Sequence, residues 1–74
     1  MTGPEFRDAL RALGISQTWL AGRLGVAPQT VNAWAASRLD VPQYAVSYLD
    51  TLAELRRSQE ALRVAAALIP ELQT

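Results

Sequence analysis

The sequence contains no cysteine, no histidine and no lysine, and it has few glycines and prolines, four of each in 74 residues. Without cysteine the chain can form no disulfide and offers no thiolate to a metal ion. Without histidine it also lacks Cys/His zinc sites and the triads of Ser-His-Asp or Cys-His catalysis. Its seven carboxylates are scattered, and it has no glycine-rich phosphate loop. We therefore expect no enzyme activity, no metal and no cofactor.

Long apolar runs are also missing. None reaches the roughly 18 residues of a membrane span, and no basic start followed by an apolar stretch suggests a signal peptide. Half of the residues are hydrophobic and 19% are charged, the balance of one small globular domain. We expect a soluble, cytoplasmic protein with no membrane partner and, at this size, no small-molecule ligand.

The charges cancel, because seven arginines balance seven acidic residues. A net charge near zero argues against a protein that coats nucleic acid indiscriminately. It remains compatible with a small binder of one DNA site, whose charges can be local.

Apolar periodicity and turn residues predict an all-α domain of four or five helices. Three short helices are expected first, over about residues 4–13, 16–24 and 28–36. Phe6, Leu10 and Leu13 fall on one face of the first helix. Gly14 and Gly25 end the first and second helices, since glycine readily adopts the positive φ found after a helix.

The segment from Gln43 to Ile69 has neither glycine nor proline, so it fits one long helix or two consecutive helices. The polar stretch over residues 56–60 would be the joint between two. Apolar residues recur at alternating spacings of three and four through this segment, which is the heptad pattern of a coiled coil. The pattern continues past residue 55 and leaves more apolar surface than a 55-residue domain can bury. We predict that this continuation forms a homodimer interface of Leu55, Gln59, Leu62, Ala66 and Ile69. The alternative is a final helix that folds back on its own domain.

The second and third predicted helices are joined by the tight turn Leu24-Gly25-Val26-Ala27. Ala21 is small enough to let the two helices approach. Their shared core is predicted to consist of Leu20, Leu24, Val26, Val31 and Trp34. Two helices joined by a short glycine turn make the DNA-binding helix-turn-helix.

Residues 13–34 read LGISQTWLAGRLGVAPQTVNAW, and this segment resembles the Cro/C1-type helix-turn-helix of phage repressors and bacterial regulators. The likeness extends over about residues 6–55, and Val41 to Ala45 with the helix that follows resemble small phage regulators such as anti-CRISPR-associated repressors. The resemblance implies a lambda-repressor-like domain over residues 1–55. The excess apolar surface beyond it makes residues 56–74 a helical extension that we expect to be the dimerisation element. The resemblance also implies a transcription regulator, most often a repressor, whose homodimer binds a palindromic operator in double-stranded DNA.

In that family the third helix lies in the major groove and its outward face contacts bases. Mapped onto this sequence, the base-contacting face is Pro28, Gln29, Asn32, Ala33 and Ala36. Gln29 and Asn32 are the side chains that can pair with adenine. The residues expected to contact phosphates are Gln17, Thr30, Arg38, Arg23 and Tyr44. Ala27 stands where the family often has a serine or threonine cap, which removes one hydrogen bond.

These residues also have simpler interpretations. Gln29 and Asn32 could be ordinary solvated side chains, Arg38 could pair with Asp40, and Tyr44 could only pack. The remaining arginines are expected to be solvated, and Trp19 faces away from the three-helix core. Two other functions stay open: an antitoxin that binds a toxin and its own operator, and a helical protein–protein interaction module that binds no DNA.

Overall fold

Four α-helices form the fold in the computed structural model, which describes residues 1–68. They are α1 (Gly3–Leu13), α2 (Gln17–Leu24), α3 (Pro28–Ala35) and α4 (Gln43–Leu68). No strand occurs within residues 1–68, so the prediction of an all-α fold is confirmed. The C-terminal part is one continuous helix, so the polar stretch at 56–60 is not a joint, and the helix crosses residue 55 without a break.

The first helix begins at Gly3, one residue before the predicted start, with a capping box formed by Thr2 and Glu5. Thr2 Oγ1 accepts from the backbone N–H of Glu5 at 3.2 Å, and the Glu5 carboxylate accepts from the N–H of Thr2 at 2.8 Å. The hydrogen bond from the Thr2 backbone lowers the pKa of Glu5. This cap is therefore fully formed above the ordinary pKa of glutamate and is lost as the pH falls through the lowered value.

The two predicted glycine stops are confirmed by their backbone geometry. Gly14 has φ 68° and Gly25 has φ 72°, both in the left-handed region. Ser16 caps α2, because its Oγ accepts from the N–H of Trp19 at 3.0 Å. Ala27 at the start of α3 makes no side-chain cap, also as predicted.

The core lies where the first three helices meet the beginning of α4. The Trp34 ring is 3% exposed, and its centroid lies 5.9 Å from that of Phe6 in an edge-to-face contact. The buried side chains are Phe6, Leu10, Leu13, Leu20, Ala21, Val31, Trp34, Ala35, Ala45 and Leu49. No side chain between residues 50 and 68 reaches that level of burial. The core therefore belongs to the first 49 residues.

The C-terminal end of α3 rests on the first turns of α1. Arg7 Nη1 donates to the backbone carbonyl of Ala35 at 3.0 Å, where a cation also meets the negative end of the α3 dipole. Arg7 was expected to be merely solvated, and that expectation is wrong. Gly3 is buried at the same junction, and a Cβ added there would lie 2.7 Å from the carbonyl oxygen of Ala35.

We expect Gly3→Ala to destabilise the protein by about 1–3 kcal/mol, because the rigid carbonyl of Ala35 must shift to admit the new methyl group. Gly22→Ala is the matched control, since a Cβ at that exposed position in α2 meets nothing within 4 Å. It should stabilise by about 0.5–1 kcal/mol through helix propensity alone. Urea unfolding of both variants measures the difference. A Gly3→Ala protein as stable as the unsubstituted chain would contradict the close approach.

The second half of α4 extends beyond the core. The whole helix has 26 residues and is about 39 Å long, in a molecule that measures 51 × 20 × 18 Å. Leu62 is 70% exposed and Leu68 is 77% exposed. Arg56, expected to be solvated, instead donates through Nη1 to the carbonyl of Ala12 at 3.4 Å and so links α4 to α1. Among residues 1–68, no helix combines the length and the hydropathy needed to cross a membrane.

Candidate nucleic-acid interface

Helices α2 and α3 are held together by the turn at Gly25 and by a shared apolar contact. The N–H of Val26 donates to the carbonyl of Ala21 at 3.0 Å, which closes the turn directly after α2. Leu20 from α2 and Val31 from α3 are both fully buried between the helices. These contacts fix the outer faces of α2 and α3 relative to each other.

A shallow concave surface lies where the start of α2 faces the outer side of α3. Four of the predicted contact residues line it with polar atoms or a charge, and Pro28 forms part of its apolar rim. The lining residues are Gln17, Thr18, Pro28, Gln29, Asn32 and Arg38. The structure thus brings together Gln29 and Asn32, which are predicted to touch bases, and two of the five residues predicted to touch phosphates, Gln17 and Arg38. We refer to these six residues as the polar face.

Three side chains of the polar face form a hydrogen-bonded row. Arg38 Nη2 donates to Asn32 Oδ1 at 2.8 Å, and Asn32 Nδ2 lies 3.5 Å from its acceptor, Gln17 Oε1. The row joins the N-terminus of α2, the middle of α3 and the loop after α3. Arg38 therefore contacts Asn32 and does not form the pair with Asp40 that the sequence left open.

The backbone after α3 places Arg38 beside Asn32. Ser37 has φ 60°, an uncommon left-handed conformation for a residue other than glycine. The N–H of Ser37 donates to the carbonyl of Trp34, and the N–H of Arg38 donates to that of Ala33 at 2.8 Å. This is the Schellman pattern of helix ends, and it folds the chain back along α3. No glycine marks this turn in the sequence, because the left-handed position is occupied by Ser37.

The other predicted base and phosphate residues lie at the edges of the polar face or away from it. Ala36 is the exposed C-cap of α3, while Ala33 and Thr30 are half-buried. The Arg23 guanidinium lies over the Trp19 ring at 5.4 Å from its centroid. Tyr44 is exposed, and its ring makes an edge contact with Trp34 at 6.2 Å. For Arg23 and Tyr44, phosphate contact remains a prediction that no contact within the polar face supports.

Charge is distributed unevenly along the chain despite the zero total. Between Asp8 and Asp40 the sequence holds three arginines and no acidic residue. All of α2, α3 and the polar face fall in this interval. Residues 40–74 hold five acidic residues and three arginines. The polar face itself contains one cationic side chain, Arg38, and no carboxylate, which favours an anionic partner.

The predicted dimer seam lies on a different part of the surface. Leu55 is 52% exposed and borders a groove that also includes Trp19. The groove is lined by Leu13, Ile15, Trp19, Leu52, Leu55, Arg56 and Gln59. Further along α4, Leu62 is exposed and Ala66 is half-buried. Ile69, the last predicted interface residue, lies outside the described residues.

Residues 1–68 contain no group of three or more His, Cys, Asp or Glu side chains that could hold a metal ion. Comparison with known proteins returns no matching family model, no matching curated protein and no matching solved structure. The features of the molecule that bear on its function are the polar face and the exposed half of α4.

Proposed function

We propose that this protein is a sequence-specific DNA-binding regulator that acts as a homodimer, most simply a repressor that occupies a promoter. The observation that carries the proposal is the polar face. Gln17, Gln29, Asn32 and Arg38 converge there from α2, α3 and the following loop, within an interval that lacks acidic residues. Amide and guanidinium groups are the side chains that most often read base edges in the major groove.

The dimensions of α3 suit the major groove. An α-helix with its side chains is about 10–12 Å across, which fits a major groove about 12 Å wide, and the eight residues of α3 span about 12 Å along the helix axis. Val31 and Trp34 point into the core, so the opposite side of α3 faces solvent. Gln29 and Asn32, both exposed on that side, would meet the base edges. An Asn or Gln amide pairs with adenine by donating to N7 and accepting from N6.

The start of α2 would hold the DNA backbone. The N–H groups of Gln17 and Thr18 occupy the first helical turn, where an α-helix provides no acceptor of its own. The positive end of the helix dipole adds to their attraction for a phosphate. Such contacts fix orientation and add affinity without reading sequence. They would set the depth at which α3 enters the groove.

A single α3 can cover only a few base pairs, so the proposal includes a second copy. The exposed apolar positions Leu55 and Leu62 on α4 are the surface offered to it. Each fully buried leucine contributes about 1.5–3 kcal/mol, so a symmetric interface with several such side chains can offset the cost of association. Two copies related by a twofold axis would read two half-sites about 34 Å apart.

Base reading by Gln29 gives a direct prediction. Gln29→Ala should weaken binding to the cognate duplex by about 1–3 kcal/mol and leave binding to random DNA nearly unchanged. Gln43→Ala is the matched control, because Gln43 is an exposed glutamine at the start of α4 and bonds to Ser47 at 3.2 Å, away from the polar face. Fluorescence anisotropy on both duplexes measures the effect. Equal losses on the two duplexes would show that Gln29 touches only the backbone.

The salt dependence of binding gives a second prediction. If each subunit neutralises two or three phosphates, the dimer should show a slope of log affinity against log salt of about −4 to −5. A gel shift on DNA from upstream of the protein's own gene, repeated over a salt series, provides the measurement and tests the proposal itself. A slope near zero would show that arginine–phosphate contacts are not part of the complex. If no band shift occurs with any duplex, the proposal of DNA binding is wrong.

The exposed apolar end of α4 favours one alternative. Leu62 and Leu68 could form an apolar contact with a different protein. Such a contact would occur in an antitoxin that binds a toxin and its own operator, or in an interaction module without DNA binding. The oligomeric state and DNA affinity of the purified chain separate the proposal from the interaction module without DNA binding. A stable homodimer that binds DNA supports the proposal, whereas a monomer without DNA affinity supports the interaction module.

A further inference from the structure

The guanidinium of Arg38 contacts Asn32, one of the predicted base readers. Its Nη2 donates to Asn32 Oδ1 at 2.8 Å. A guanidinium has only donors, so the atom that faces it must be an acceptor. The contact therefore fixes which end of the Asn32 amide is oxygen. Gln17 is placed at the other end, where its Oε1 lies 3.5 Å from Asn32 Nδ2.

The remaining hydrogen-bonding capacity of Asn32 suits adenine. An amide oxygen has two lone pairs and an amide nitrogen has two N–H bonds. After the contacts with Arg38 and Gln17, one lone pair and one N–H remain. Adenine presents an N6–H donor and an N7 acceptor side by side in the major groove. The two remaining sites on Asn32 complement that pair.

We infer that Arg38 is a positioning residue that holds Asn32 in the orientation needed to read adenine, in addition to any attraction for phosphate. The inference rests on the proposed DNA-binding function. Its physical basis is that an exposed amide can otherwise rotate and exchange its two ends. The Schellman turn at Ser37 keeps Arg38 against α3, so the amide is oriented before DNA arrives. Because Asn32 is already oriented, binding need not immobilise its side chain. Avoiding that entropic cost raises the affinity by about 2- to 12-fold.

The test uses the duplex that the full chain enriches from a random pool, together with three versions that carry the other bases at one position. At that position the unsubstituted chain should prefer adenine by roughly 5- to 150-fold, and Asn32→Ala should abolish the preference. Arg38→Ala and Arg38→Lys are then measured on the same four duplexes at fixed salt. Lysine keeps the positive charge but lacks the planar fork that fixes the amide.

We expect both Arg38 variants to weaken the adenine preference by about 2- to 12-fold. Arg38→Lys should leave the affinity for random DNA unchanged. The double variant Asn32→Ala with Arg38→Ala should discriminate no worse at this position than Asn32→Ala alone. Arg23→Ala is the matched control, since Arg23 lies over Trp19. Any change in affinity should be the same for all four duplexes, so the adenine preference should stay intact.

The hydrogen bond can also be followed in the free protein. The side-chain amide resonances of Asn32 should shift in Arg38→Ala and Arg38→Lys but stay in place in Arg23→Ala. Full adenine preference in Arg38→Lys would overturn the inference and reduce Arg38 to a positive charge, while DNA binding would stand. An unchanged preference in Asn32→Ala would overturn it by removing Asn32 as a reader. If the unsubstituted chain enriches no sequence, the proposed function falls together with the inference.

Discussion

Replacing Leu62 with aspartate should convert the proposed dimer into a monomer and reduce affinity for the full palindrome by about 100- to 10,000-fold. Leu62 is 70% exposed in one copy, so the substitution costs the isolated domain little. In the dimer it would place two like charges at an apolar contact and remove leucine burial worth about 1.5–3 kcal/mol per side chain. The loss on DNA is large because linked half-site contacts act as one binding event.

The control for this prediction lies two residues further along α4. Val64 is 51% exposed and projects from the side of the helix opposite the seam, about 160° from Leu62 by helix geometry. Val64→Asp introduces the same charge and should remain a dimer. Light scattering and anisotropy on the palindrome measure both variants. If Leu62→Asp stays dimeric and binds as tightly as before, the interface lies elsewhere.

Trp34→Ala should destabilise the domain by about 3–5 kcal/mol, which approaches the whole stability of a domain this small. The ring is 3% exposed and contacts Phe6 from α1 and Tyr44 from α4. Its loss would leave a cavity where three helices meet. Thermal unfolding followed by circular dichroism should show a Tm lower by roughly 12–40 °C.

The second tryptophan supplies the control. Trp19 is 43% exposed, so Trp19→Ala should cost no more than about half as much. Both substitutions are best made in the Leu62→Asp chain, where the loss of a dimer cannot contribute to the change in Tm. Equal destabilisation by the two substitutions would contradict the placement of Trp34 at the centre of the core.

The sequence predicts the fold of this chain well because its local signals agree with its tertiary packing. Gly14 and Gly25 occupy the two positions with positive φ, and Ser16 caps α2. Phe6 and Trp34 were expected in the core on periodicity alone. The sequence does not show whether the C-terminal part forms one helix or two. The polar stretch at residues 56–60 breaks the apolar pattern but carries no helix-breaking residue, and the backbone continues through it.

Contacts between elements distant in sequence were the part that could not be predicted. Arg7 and Arg56 read as solvated because no local pattern shows that each reaches a carbonyl at the end of another helix. The Schellman turn at Ser37 was hidden because serine, unlike glycine, does not mark a left-handed position. For that reason the contact between Arg38 and Asn32 was also missed, although both had been predicted to touch DNA.

Selection from a pool of random duplexes tests the central claim most directly. The full chain is incubated with the pool at physiological salt, and the bound DNA is recovered and sequenced over several rounds. The account predicts an enriched inverted repeat whose half-site centres lie about 10–10.5 base pairs apart, bound about 1,000-fold or more above random DNA. Recovery of a single unrepeated half-site would contradict the homodimer, and a pool that shows no enrichment would contradict sequence-specific DNA binding.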